Sequence, residues 1–167
     1  LKNQLKNAYQ FSAMELCELD VHFGYYLGDQ VKLFMEKYQI QNVDFVASHG
    51  QTIFHQPEKN FTLQIGNGAA ISSRCNQKII CDFRTQDVVL GGQGAPLVPI
   101  GDELLFNQYD ACLNLGGFSN ISMNRNEKRI AFDICPINIV LNHYANQLGL
   151  DYDKNGDLTP RDFLANS

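Results

Sequence analysis

Leu16, Leu19, Phe23, Leu27, Val31, Phe34 and Tyr38 recur every three or four positions. Only a long helix gathers that spacing on one face, and so long an apolar stripe must be covered by the rest of the chain. Ser12 and Glu15 stand at capping-box separation, which predicts a helix over residues 12–38. Gly24 and Gly28 weaken that helix and invite another element to approach closely. Downstream the period shortens. Residues 43–47, 61–65 and 79–83 read as buried strands, with a polar loop at 48–52, a turn and short helix at 66–74, and a helix at 99–106. Residues 111–115, 119–123 and 129–132 read as a meander turning at Gly116-Gly117 and at 124–127. A helix over 136–148 follows, with Pro136 suited to its first turn and Gly149 to its end. The order predicts an α/β fold, a mixed sheet with flanking helices, as a single domain over 1–167.

Composition limits the function classes. Apolar residues make up 44% of the 167, which excludes a disordered chain. Thirteen basic against eighteen acidic residues leave a net charge of −5, which argues against nucleic acid as a partner. The sequence shows no apolar run of membrane-spanning length and no signal-peptide core, so the expectation is a cytoplasmic protein with no membrane partner. The chain begins at Leu1, without an initiator Met, and residues are expected upstream. Cys17, Cys75, Cys81, Cys112 and Cys135 include no C-x-x-C pair. They read as mostly buried free thiols, with no metal site.

Several motifs admit two readings. Gly66-Asn67-Gly68 follows a strand and opens a helix, but position 71 is Ile71 where a dinucleotide fingerprint needs its third glycine. Residues 151–157 resemble half of a calcium loop, yet position 12 of that loop is Asp162, not a bidentate Glu. His49 and His55 have no third ligand and read as hydrogen-bonding residues. Asn114, Gly116, Gly117, Ser119 and Asn120 form a polar turn between strands that could approach a phosphate, or serve as an ordinary hairpin. Asp133 ends a predicted strand just before a predicted helix. It could act as a general base there, or only cap the helix.

The ordered series Ser48-His49-Gly50-Gln51-Thr52, Thr62-Leu63-Gln64-Ile65-Gly66, Asp82-Phe83-Arg84, Asp87, Gly91-Gly92-Gln93-Gly94-Ala95-Pro96-Leu97-Val98-Pro99, residues 113–120 and Phe132-Asp133 resembles the bacterial anhydro-N-acetylmuramic acid kinases. The resemblance implies a ribonuclease H-like, actin-like fold and two lobes, with this chain as the central portion of the first. It also implies phosphorylation of 1,6-anhydro-N-acetylmuramic acid by ATP with Mg²⁺, with water opening the anhydro ring to give N-acetylmuramic acid 6-phosphate. It assigns the base to Asp133, sugar binding to His49, Gln51, Thr52, Arg84 and Asp87, and phosphate binding to Asn114, Gly116, Gly117, Ser119 and Asn120. The partners are then a small sugar and a nucleotide, and a homodimer is compatible with the family.

Two departures stand out. The family's Gly-Pro-Gly-Asn segment reads Cys135-Pro136-Ile137-Asn138 here, and Ile137 does not take positive φ without strain. Nothing in the sequence matches the family's first phosphate loop or its second lobe, so the expectation is an incomplete kinase, inactive alone. The competing readings are a non-catalytic sugar-binding remnant and, less favoured, a calcium-binding domain.

Overall fold

The computed structural model describes residues 1–94, 97–126 and 128–158, and divides the chain into two compact units, Leu1–Leu97 and Val98–Ser167. In the first unit, α1 (Lys2–Asn7) and a 3₁₀ turn precede the long α2 (Ala13–Lys37). Then come β1 (Val46–Ser48), β2 (Gln51–Gln56), β3 (Phe61–Ile65), α3 (Gly68–Cys75), β4 (Ile79–Cys81) and α4 (Thr85–Val89). Strands β1 and β4 pair in parallel, and β2 and β3 form an antiparallel hairpin. Helix α5 (Leu97–Leu105) leads into the second unit, where β5 (Ala111–Leu115), β6 (Phe118–Arg125) and β7 (Lys128–Pro136) make an antiparallel meander closed by α6 (Asn138–Gln147). The fold is α/β with mixed pairing, as the sequence predicts.

The helix start is set by the capping box. Glu15 N–H donates to Ser12 Oγ at 3.3 Å, and Ser12 N–H donates back to Glu15 Oε2 at 2.8 Å. The Ser12 hydroxyl, then its backbone N–H, hold the Glu15 carboxyl below its ordinary value. A lowered folded-state value stabilises above the carboxylate range, and that contribution is lost as pH falls through it. Ser12→Ala should lower stability at neutral pH, because it removes both the cap acceptor for Glu15 N–H and the hydroxyl that holds the Glu15 carboxylate. The difference from the parent should shrink in acid, read from urea midpoints at the two pH values.

The stripe on α2 buries only its first half. Leu19 and Phe23 join Ala8 and Ile65 in the core, with Leu16, Leu27, Ile53 and Leu63 packed around them. Each such side chain contributes about 1.5–3 kcal/mol when fully buried. Phe34 and Tyr38 are 56% and 57% exposed, their rings in contact with centroids 4.7 Å apart and planes tilted by 52°. The two helix glycines act as the sequence suggests. A Cβ on Gly24 would sit 2.7 Å from the Asn67 carbonyl, and one on Gly28 would sit 2.5 Å from the Ile71 carbonyl, so α3 packs directly on the α2 backbone.

The cysteines correct an expectation. All five are free thiols, but only Cys75 is buried, while Cys17, Cys81 and Cys135 are exposed. Cys17 lies off the apolar stripe of α2, and Cys81 ends the short strand β4.

Candidate functional site

In the first unit, a cleft of about 320 Å³ lies between the turn after β1, the face of β3 and the start of α3. Glycine makes its turn possible. Gly50 has φ +70°, and a Cβ there would meet the Ile65 carbonyl at 2.3 Å. Asp20 of α2, which sequence reasoning missed, fixes the other wall by accepting from Gly66 N–H at 2.7 Å and from Asn67 Nδ2 at 3.0 Å. A carboxylate one turn along from Leu16 on a helix otherwise read as core was the available signal. Asn67 also caps α3 by accepting from Ala70 N–H at 3.1 Å, and Ile71 is fully buried, so the Gly-Asn-Gly segment is structural.

The polar face of the β2–β3 hairpin is one hydrogen-bonded set. Ile53 is bulged, because Thr52 pairs with Gln64 and Phe54 with Leu63. This shift puts Thr52 and His55, three apart, on one side. The Thr62 hydroxyl donates to the Phe54 carbonyl at 3.2 Å and accepts from Gln64 Nε2 at 2.7 Å. Its single proton is thus committed, so His55 Nδ1, 3.1 Å away, donates to it. Gln64 Nε2 also reaches Thr52 Oγ1 at 3.4 Å, and Gln51 Nε2 donates to the Thr52 carbonyl at 3.3 Å. Arg84 Nε donates to His49 Nε2 at 2.8 Å. That fixes His49 with its proton on Nδ1, which donates to the Gly50 carbonyl at 3.1 Å.

Asp87 is engaged by the glycine segment that follows it. Its Oδ2 accepts from Gly94 N–H at 2.6 Å, and its backbone carbonyl accepts from Gly92 N–H at 2.7 Å. A Cβ on Gly92 would lie 2.2 Å from that carboxylate. The glycine segment is wrapped around Asp87; Ala95 and Pro96 of the same motif lie outside the described residues.

In the second unit, strand register brings three predicted residues together. Asn114 pairs with Asn120, and Asn120 pairs with Asp133, giving a row across β5, β6 and β7. Directly paired positions place their Cβ atoms about 5 Å apart on one face. The row follows from the two hairpin registers, unbroken from Arg125↔Lys128 to Asn120↔Asp133, and a bulge at Ile134 shifts the pairing only beyond it, where Ser119 meets Cys135. Among the described residues, no side-chain hydrogen bond engages Asn114, Asn120 or Asp133.

Three expectations change here. Asp133 lies inside β7, which runs on to Pro136, not at a strand end beside a helix; α6 starts only at Asn138. Ser119 is 2% exposed and turned inward, donating to the Cys135 carbonyl at 3.1 Å and accepting from Cys135 N–H at 3.3 Å. Ile137 takes φ −121°, so the missing family glycine imposes no left-handed strain. The Gly116 and Gly117 carbonyls accept from the amides of Asn138, and of Ile137 and Ile139, at 3.2, 2.8 and 3.4 Å. The glycine turn is therefore bound to the first turn of α6.

Sequence reasoning also missed Arg129, whose nearly buried guanidinium donates to Ser122 at 2.9 Å and lies 3.9 Å from Asp102 of α5. In the calcium-like segment, Asp153 Oδ1 accepts from Leu158 N–H at 3.0 Å, and Asp162 lies outside the described residues. Among the described residues, no three His, Cys, Asp or Glu side chains converge to hold a metal ion, and no helix is long and apolar enough to cross a membrane.

Comparison with known proteins adds the following. The sequence model of the family described as anhydro-N-acetylmuramic acid kinase matches residues 1–161. An anhydro-N-acetylmuramic acid kinase of Clostridioides difficile (strain 630) is 42% identical over 156 residues, 84% of this chain and 41% of the relative. One of Pseudomonas fluorescens (strain Pf0-1) is 46% identical over 116 residues, 66% of this chain and 32% of the relative. One of Bacillus cereus (strain 03BB102) is 34% identical over 166 residues, 90% of this chain and 44% of the relative. The chain thus spans less than half the length of these relatives.

Proposed function

Because this chain belongs to the anhydro-N-acetylmuramic acid kinase family, we propose that the complete protein phosphorylates 1,6-anhydro-N-acetylmuramic acid from ATP, with hydrolytic opening of the anhydro ring, in cell-wall sugar recycling. The observation that carries the reading is the Asn114–Asn120–Asp133 row, an acidic side chain beside two neutral amides with no competing side-chain bond among the described residues. In this reading both units belong to one lobe of an actin-like, ribonuclease H-related kinase of the cytoplasm.

Asp133 takes the proton of a water that attacks the anomeric carbon. The bond from that carbon to the bridging oxygen breaks, and the freed 6-oxygen attacks the γ-phosphorus. Asn114 and Asn120 supply neutral donors where phosphate charge gathers, and the Gly116-Gly117 turn keeps side chains out of the approach. The two amides of the row suit a phosphate, whereas the buried Ser119 hydroxyl is already committed to Cys135. Mg²⁺ comes with the nucleotide and offsets phosphate charge. In the first unit, Thr52, Gln51, His49 and Arg84 face the sugar, and Asp87 shapes the glycine segment beside them.

The test is ADP release by the complete protein with the anhydro-sugar, against N-acetylmuramic acid and plain hexoses. The expected result is turnover of the anhydro-sugar alone, with a product heavier by one water and one phosphoryl group. Equal rates on plain hexoses, or a product that keeps its anhydro ring, would overturn it.

A further inference from the structure

We propose that Asp20 is the positioning residue of the first unit's cleft. From α2 it holds the turn between β3 and α3, the sugar loop at residues 48–52 rests on that turn, and sugar affinity is set through it. The inference rests on the proposed sugar-kinase reading and deepens it by naming the group that keeps the sugar site formed.

Three bonds run from this one residue of α2 to two residues of the turn. Gly66 N–H donates to Asp20 Oδ1 at 2.7 Å, Asn67 Nδ2 donates to Oδ2 at 3.0 Å, and Asn67 N–H donates to the Asp20 backbone carbonyl at 3.1 Å. The two bonds to the carboxylate are charge-assisted and grip it at both oxygens, so they fix orientation as well as distance. Asn67 Oδ1 accepts from Ala70 N–H at 3.1 Å, which leaves its amide nitrogen to face Asp20. The helix backbone closes on the same turn, since a Cβ on Gly24 would meet the Asn67 carbonyl at 2.7 Å. Among the described residues, Asp20 is the one α2 residue that lines the cleft.

The sugar loop meets this turn through glycine. A Cβ on Gly50 would sit 2.3 Å from the Ile65 carbonyl, and one on Gly66 would lie 3.5 Å from the Gly50 Cα. Gln51 and Thr52 leave the loop already paired with Ile65 and Gln64, the last residues of β3. His49 is tied to the loop as well, through its Nδ1 to the Gly50 carbonyl at 3.1 Å. Contacts this close leave no slack, and close-packed atoms pass a displacement on. A shift of Gly66 therefore moves Gly50, and with it His49, Gln51 and Thr52. Asp20 acts on the sugar through this backbone relay.

The experiment uses the complete protein and the anhydro-sugar. In Asp20→Asn the new amide nitrogen faces a donor, either the Gly66 N–H or the Asn67 amide, so one of the two side-chain bonds is lost. KM for the sugar should rise about 5- to 20-fold, the size of one or two lost hydrogen bonds. The kcat and the KM for ATP should stay nearly unchanged, as for a loss of uniform sugar binding. Asn67→Asp sets two carboxylates against each other and should raise the sugar KM likewise. Combining the two substitutions puts a donor opposite an acceptor again and keeps the cap on Ala70, so it should bring the sugar KM most of the way back. Ser12→Ala is the control, because its side chain bonds only within the helix start and touches neither the turn nor the loop. It should lower the melting temperature and leave the sugar KM alone. A sugar KM that rises as much with Ser12→Ala as with Asp20→Asn would make the effect one of stability and overturn the proposal. An unchanged sugar KM in Asp20→Asn, or a double variant no better than its parts, would overturn it too. If the complete protein binds the anhydro-sugar without turning it over, the kinase reading alone fails, and calorimetric Kd for the same four variants decides the role of Asp20. If it does not bind the sugar, both fall.

Discussion

Asp133→Asn should lower kcat by about 10²- to 10⁴-fold, the range a positioned general base contributes. The replacement is nearly isosteric and keeps the Asn120 pairing on β6. It keeps an acceptor oxygen but removes the basic carboxylate that the proposed mechanism uses to take the water's proton. KM should change little, because proton removal belongs to the transition state rather than to ground-state binding. The melting temperature should be unchanged within about 1 °C, since Asp133 is exposed and engages no side-chain hydrogen bond among the described residues. Steady-state kinetics with the anhydro-sugar and thermal melts of both proteins check it. A variant that turns over at the parent rate would remove Asp133 from the base role.

Gly28→Ala should destabilise the first unit by about 2 kcal/mol, against the sign of helix propensity. In an open helix the change gains about 1 kcal/mol. Here the new Cβ would sit 2.5 Å from the Ile71 carbonyl and 2.7 Å from the Arg74 Cβ. The nearer obstacle is backbone, so all of α3 must shift, and overpacking of that kind costs about 1–3 kcal/mol or more. Gly101 is the control. It lies inside α5 with nothing within 4 Å of its added Cβ, so Gly101→Ala should stabilise by roughly 0.5–1 kcal/mol. Urea midpoints for both variants give the comparison. A stabilised Gly28→Ala protein would mean that α3 does not pack on α2 as described.

The parts of the fold written in local pattern were legible. The capping box of Ser12 and Glu15 is present, and residues 61–65 and 111–115 form β3 and β5 as read. Elements whose pattern is broken were not. Strand β2 has Gln51, Thr52, His55 and Gln56 around a bulged Ile53, so no period-two alternation survives. Helix α4 is five residues, too short to show a helical period. Pro136 suits a helix start, yet its lack of an N–H serves equally at the end of a strand, where it pairs with Phe118. The candidate residues were visible as types, but their grouping was not. The Asn114–Asn120–Asp133 row follows from where each hairpin turn closes, which turn residues fix only to within a residue or so, and nothing in residues 111–136 announces that Ile134 is then skipped so that Ser119 pairs with Cys135. The role of Asp87 was hidden for a related reason, since only the wrapped path of residues 91–94 commits its carboxylate.

The turn that joins β6 to β7 also limits how β7 can change in length. The ladder is counted from that turn, and adding or dropping a residue between it and Asp133 exchanges inward and outward positions. An added residue would put Phe132, and a dropped one Ile134, in place of Asp133 beside Asn120. The same edit beyond Gln147, past the end of α6, would leave that row untouched. Point substitutions along residues 128–133 should therefore be tolerated more readily than single-residue insertions, however conservative the inserted side chain.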